Sequence, residues 1–99
     1  MTIEINEQDL ALLYYKTKQK YKECIDDSEN SFLEDEAGVP FDSIKLIEKD
    51  IKIIFYKDIA SNYLFEVSLL LYAGDKEIGK YTFIESETGN AIDDILVLY

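Results

Sequence analysis

The chain has no arginine, no histidine and no tryptophan, and only one cysteine and one proline among its 99 residues. Each absence removes a class of chemistry. Without histidine there is no Ser–His–Asp or Cys–His arrangement, no imidazole base and no histidine metal ligand. Without arginine the usual bidentate clamp for phosphate or carboxylate is missing. Cys24 has no second cysteine to pair with, so an intramolecular disulfide is excluded and a reducing compartment, the cytoplasm, is expected. Leu69 to Ala73 is the longest apolar run, far short of the roughly 20 residues a spanning helix needs. The first nine residues hold Glu4, Glu7 and Asp9 and show neither the positive nor the apolar region of a secretory signal. Neither GxGxxG nor GxxxxGK[ST] occurs.

What the chain has is acid. Twenty-one Asp and Glu against 10 Lys leave a net charge of −11. That charge repels phosphate backbones and anionic lipid surfaces, so neither direct nucleic-acid binding nor membrane binding is expected. Cationic proteins and metal ions remain as targets for such a charge. Hydrophobic residues make up 47% and aromatics 13%, eight Tyr and five Phe, which is too apolar for a disordered chain. One domain is expected at this length, able to bury roughly 60–70% of its unfolded surface.

The pattern of residues divides the chain. Asn6 to Ile25 has helical spacing, with Leu10, Leu13, Tyr14, Thr17, Tyr21, Cys24 and Ile25 on one stripe. Asn6 followed by Asp9 supplies a cap. Lys16, Lys18, Lys20 and Lys22 crowd the later part, where cations suit the carboxyl end of the dipole, and their i, i+2 spacing fans them around the helix. Residues 26–40 form an acidic connection without sustained period, in which Phe32 and Leu33 are expected to plug onto the core. Beyond Pro40 the runs Ile51–Tyr56, Tyr63–Tyr72, Glu77–Glu85 and Ile92–Tyr99 are β-prone. Turn signals at Ala73-Gly74-Asp75-Lys76 and Glu87-Thr88-Gly89-Asn90 make them an antiparallel meander. Phe41–Glu48 fits either a helix or a strand; as a strand, with Glu48-Lys49-Asp50 turning into the next, it gives a fifth. The expected architecture is a two-layer α+β domain, an N-terminal helix packed on a four- or five-stranded antiparallel sheet. The sheet's other face is expected to carry Lys, Glu and Tyr to solvent.

Carboxylates are the remaining candidates for function. Glu23, Asp26, Asp27, Glu29, Glu34, Asp35, Glu36 and Asp42 follow one another with no intervening base. The bland reading is a solvated connection. The functional reading is an anionic surface for a basic partner, with interface candidates Asp26, Asp27, Glu29, Glu34, Asp35 and Glu36. Glu85, Glu87, Asp93 and Asp94 form a second set. Tyr81 and Tyr99 lie near it, either as contact anchors or as ordinary sheet residues. Complementary charge speeds encounter to about 10⁸–10⁹ M⁻¹s⁻¹ at low salt. Asp93 and Asp94 are the tempting acid–base pair, but neighbours on a strand point to opposite faces and would not share a site. An EF-hand loop starting at Asp26 puts Ser31 at the required glycine and Ala37 where the bidentate glutamate belongs, so no calcium site is expected. No catalytic residue, cofactor or metal is expected.

The tail GKYTFIESETGNAIDDILVLY, residues 79–99, joins a tyrosine-rich strand, an acidic Gly turn and an Asp-Asp strand. In this it resembles small immunity proteins of bacterial polymorphic toxin systems, those of contact-dependent growth inhibition above all. The resemblance implies a non-catalytic inhibitor that binds a basic, nucleic-acid-directed toxin domain, its carboxylates standing where phosphates would. It carries no functional residue over by position. Two other readings fit the same acidic surface: a phosphate mimic aimed at a DNA- or RNA-binding complex, and a self-associating structural domain.

Overall fold

The computed structural model describes residues 4–27, 33–55 and 63–99. Helix α1, Glu7–Asp26, starts where the sequence placed it. The Asn6 side chain accepts from the Asp9 N–H at 2.9 Å, and the Asp9 carboxylate accepts from the Asn6 N–H at 3.1 Å. This capping box satisfies two of the amides a helix start leaves open. At the other end the last turn holds no base, so the lysines stop short of the carboxyl terminus they were expected to complement. A one-turn helix α2, Leu33–Ala37, interrupts the acidic connection, and a turn of 3₁₀ helix, Phe41–Ser43, follows. The expected plug by Phe32, and by the side chain of Leu33, lies outside the described residues.

Four strands complete the fold, in the order β1-β2-β3-β4 and all antiparallel: β1 Ile44–Phe55, β2 Tyr63–Ala73, β3 Lys76–Ser86 and β4 Ala91–Leu98. The described chain is thus a two-layer α+β arrangement, a helix on a four-stranded sheet. The fifth strand is a correction. Glu48-Lys49-Asp50 does not turn the chain; it is an irregularity inside β1, where the register to β2 shifts. Ile44, Leu46 and Glu48 share one parity and Ile51, Ile53 and Phe55 the other, so one extra residue keeps all six on the same face.

That face is the one α1 covers. Leu69 and Leu71 of β2, Tyr81 and Phe83 of β3 and Tyr21 of α1 form the buried cluster, with Ile44, Leu46, Leu96 and Leu98 packed against it. Thr17 is fully buried on α1, its hydroxyl satisfied by the Leu13 carbonyl at 2.8 Å. Leu10 is a correction: it belongs to the expected stripe yet is 38% exposed. The fan of lysines straddles the sheet. Lys18 meets Glu48 on β1 at 2.6 Å, and Lys16 meets Glu85 on β3 at 3.8 Å. The helix packs over β1, β2 and β3 and leaves β4 largely uncovered.

The opposite face carries the expected Lys, Glu and Tyr, among them Lys45, Lys80 and Tyr72, and apolar residues besides. Lys52 pairs there with Glu66 at 3.6 Å, as charged residues should. By alternation it also carries Ile54, Leu64, Leu70, Ile84, Ile95 and Val97. Ile54, Ile95 and Val97 are exposed. No helix among the described residues is long and apolar enough to cross a membrane.

Candidate functional site: an acidic groove beside the helix

Because α1 sits over the first three strands, a groove opens between its flank and the β3–β4 hairpin. Three clefts with shared walls compose it. At the carboxyl end of α1 lies a cleft of about 470 Å³, lined by Phe83 and Ala91 and by Glu23, Asp27, Asp93 and Asp94. A middle cleft of about 380 Å³ shares Lys20, Phe83 and Ala91 with it and adds Tyr15, Lys16 and Glu85. The third, about 330 Å³, shares Lys16 and Glu85 with the middle one and adds Glu4, Asp9, Glu87 and Leu12.

Eight carboxylates therefore line the groove against two lysines. Both lysines have an acidic neighbour within the groove, Lys16 with Glu85 at 3.8 Å and Lys20 with Glu23 at 3.3 Å. Each cleft also holds one large exposed apolar side chain: Ile92, Tyr15 and Leu12 in turn. Apolar contacts ringed by charge are the usual make-up of a protein-binding surface.

The sequence-derived candidates fall into three groups. Asp27 of the first acidic set and Asp93 and Asp94 of the second meet in one cleft, which also recruits Glu23. Their sharing of a site corrects the expectation that Asp93 and Asp94 would be held apart. They do alternate: Asp94 lies across from Phe83 and accepts the Tyr81 hydroxyl at 2.8 Å, while Asp93 lies across from Ile84. Both nonetheless line the cleft, which opens at the edge strand β4. Glu85 and Glu87 border the far cleft, but Glu85 is 4% exposed and serves Lys16 as a buried partner. Asp26, Asp35 and Glu36 are exposed and line none of these clefts. Glu29 and the side chain of Glu34 lie outside the described residues. Tyr81 is fully buried and packs edge-on to Tyr21 at 5.5 Å, so of the two tyrosines only Tyr99 is exposed.

The acid leaves its mark on neighbouring groups. Burial, then Asp94 and Asp27, push the Cys24 thiol up, away from the thiolate a nucleophile needs. Burial and the hydrogen bond to Asp94 raise Tyr81 above the ordinary tyrosine range. Tyr21 is pushed up to about 12, by burial first and then by Cys24. Among the described residues no group of three or more Cys, Asp or Glu is arranged to hold a metal ion.

Leu12, Tyr15, Glu4, Asp9 and Ile92 escaped the sequence reading as contact residues. The signal was present for two of them: Leu12 and Tyr15 are large apolar residues three apart that fall off the buried stripe of α1. Comparison of the chain with protein-family models, with curated proteins and with solved structures finds no match.

Proposed function

We propose that this protein is a non-catalytic inhibitor of the immunity type, which captures a basic protein through the groove between α1 and the β3–β4 hairpin. One observation carries the reading: eight carboxylates line the groove, and its two lysines each have one of them as a partner. Such a surface draws a cationic protein in from a distance and holds it by charge and a few apolar contacts. A toxin domain that acts on nucleic acid offers the matching cleft, and carboxylates spaced along a groove stand in for phosphates there. The high pKa of Cys24 and the absence of histidine leave the groove poor in chemistry and rich in recognition.

The test is affinity capture from the source cell at about 50 mM and about 500 mM salt, where the screening length differs several-fold. It compares the natural chain with one carrying Asp27→Asn, Asp93→Asn and Asp94→Asn. The expected result is a basic protein held by the natural chain at low salt and shed by the variant. Equal retention by both would remove the groove from the reading, and a captured partner that is itself acidic would remove the reading.

A further inference from the structure

The two edges of the sheet are built differently. β1 forms one, and its ladder is interrupted between Glu48 and Asp50, with Lys45, Lys49 and Lys52 along it. A bulge and charged side chains, lysine above all, keep an edge from pairing with another chain. β4 forms the other edge and has no lysine, proline or glycine. Its ladder to β3 runs without a shift from the Gly79–Leu98 pair to the Ile84–Asp93 pair. Among the described residues no strand lies beyond it.

The directions of its amides follow from one bond. The Tyr99 N–H donates to the Ile78 carbonyl at 2.9 Å. Inward and outward groups alternate along an antiparallel strand. Leu98, Leu96 and Asp94 therefore turn their N–H and C=O groups away from β3, toward the open edge. Asp93 caps the amide of Asp94 with its own carboxylate at 2.9 Å. Leu96 and Leu98 have no such cap among the described residues.

We infer that this edge receives an extended segment of the basic partner, added as a further antiparallel or parallel strand beside β4; the inference rests on the reading of the groove as a site for a cationic protein. Strand addition uses the outward amides of Leu96 and Leu98, which a helix laid in the groove would leave unused. Charge sets the composition of the segment. On the helix side of the edge Leu96 and Leu98 pack toward the core, and beyond them Asp94 stands with Glu23 and Asp27 in the same cleft, which suits lysine or arginine there. On the other side Asp93 stands at the start of the strand, and Ile95 and Val97, each 47% exposed, follow it and suit apolar residues. A strand with basic and apolar residues in alternation satisfies both. A second copy of the chain would bring one net charge of −11 against another.

The experiment is amide hydrogen exchange by NMR on the full chain at low salt, with two peptides as probes: a capped four-fold Lys-Val repeat and the matching Glu-Val repeat. With the lysine peptide near saturation, exchange at Leu96 and Leu98 is expected to slow by about tenfold or more, while Ile95 and Val97, already bonded to β3, hold their rates. The glutamate peptide is expected to change nothing. Binding of the lysine peptide without slowing at Leu96 and Leu98 overturns strand addition and leaves the groove reading standing. No binding of the lysine peptide overturns both. Equal slowing by the glutamate peptide overturns the basic composition. Slow exchange at Leu96 and Leu98 in the peptide-free protein, together with a dimer in sedimentation, assigns the edge to a second copy and overturns the inference.

Discussion

Single residues here are decided by what they touch. Tyr21 and Tyr81 meet edge-on in the core, but only Tyr81 has a use for its hydroxyl, given to Asp94 at 2.8 Å. The Tyr21 hydroxyl is buried with no hydrogen-bond partner among the described residues. Tyr21→Phe removes that unpaired group and keeps the ring, so it should stabilise the fold by about 1 kcal/mol, read from the midpoint of urea unfolding. Both tyrosines also set the alkaline limit. Their folded pKa values lie above the unfolded value near 10, with Tyr21 at about 12. The folded state holds these protons longer than the unfolded one. The stabilisation is whole below pH 10 and is lost as pH rises from there through the folded values, at about 1.4 kcal/mol per pH unit for each tyrosine. Unfolding curves between pH 9 and about 12 should show this fall, and Tyr21→Phe should make it shallower. A pH-independent stability across that window would contradict the assignment.

At the scale of elements, one close approach sets how β4 lies on β3, and one cap starts α1. Gly79 has no room for a side chain: a Cβ there would sit 2.5 Å from the Val97 carbonyl oxygen and 3.1 Å from a Leu98 methyl. Backbone cannot yield as a side-chain tip does. Gly79→Ala should cost about 1–3 kcal/mol, and faster amide exchange along β4 should accompany it. Asn6→Ala removes the cap of α1 and should cost about 1 kcal/mol, seen as a lower thermal midpoint. Much of this level was legible. The cap, the α1 stripe and both hairpin turns follow from local chemistry, and Gly74 and Gly89 have the positive φ that such turns require. β1 was not legible as one strand. A shift of parity at Glu-Lys-Asp describes equally a turn between two strands and a bulge within one, and only pairing with eleven residues of β2 decides between them.

For the whole molecule, charge matters most. A net −11 on 99 residues repels itself, and the groove concentrates that repulsion. The thermal midpoint should therefore rise with added salt between about 20 mM and about 300 mM, as the screening length shortens. Asp27→Asn with Asp93→Asn should leave that midpoint equal or higher while weakening capture of the basic partner, since both side chains are exposed and asparagine at 93 keeps an oxygen that can accept the Asp94 amide. A lowered midpoint would mean that these carboxylates hold the fold together. The same charge that limits stability thus supplies the surface proposed for recognition.

What composition and pattern settled is the class of the molecule: acidic, poor in catalytic side chains, one capped helix and a meander. These are local properties, set by side-chain type and by periods of two and 3.6 residues. The groove belongs to the tertiary structure. Whether Asp27 stands beside Asp93 and Asp94 depends on which strands α1 covers, and that is settled by how Tyr21 seats on β2 and β3. Burial of Glu85 and exposure of Asp26 come from the same packing. Two residues far apart in the chain carry no mark of their meeting until the core that joins them has formed.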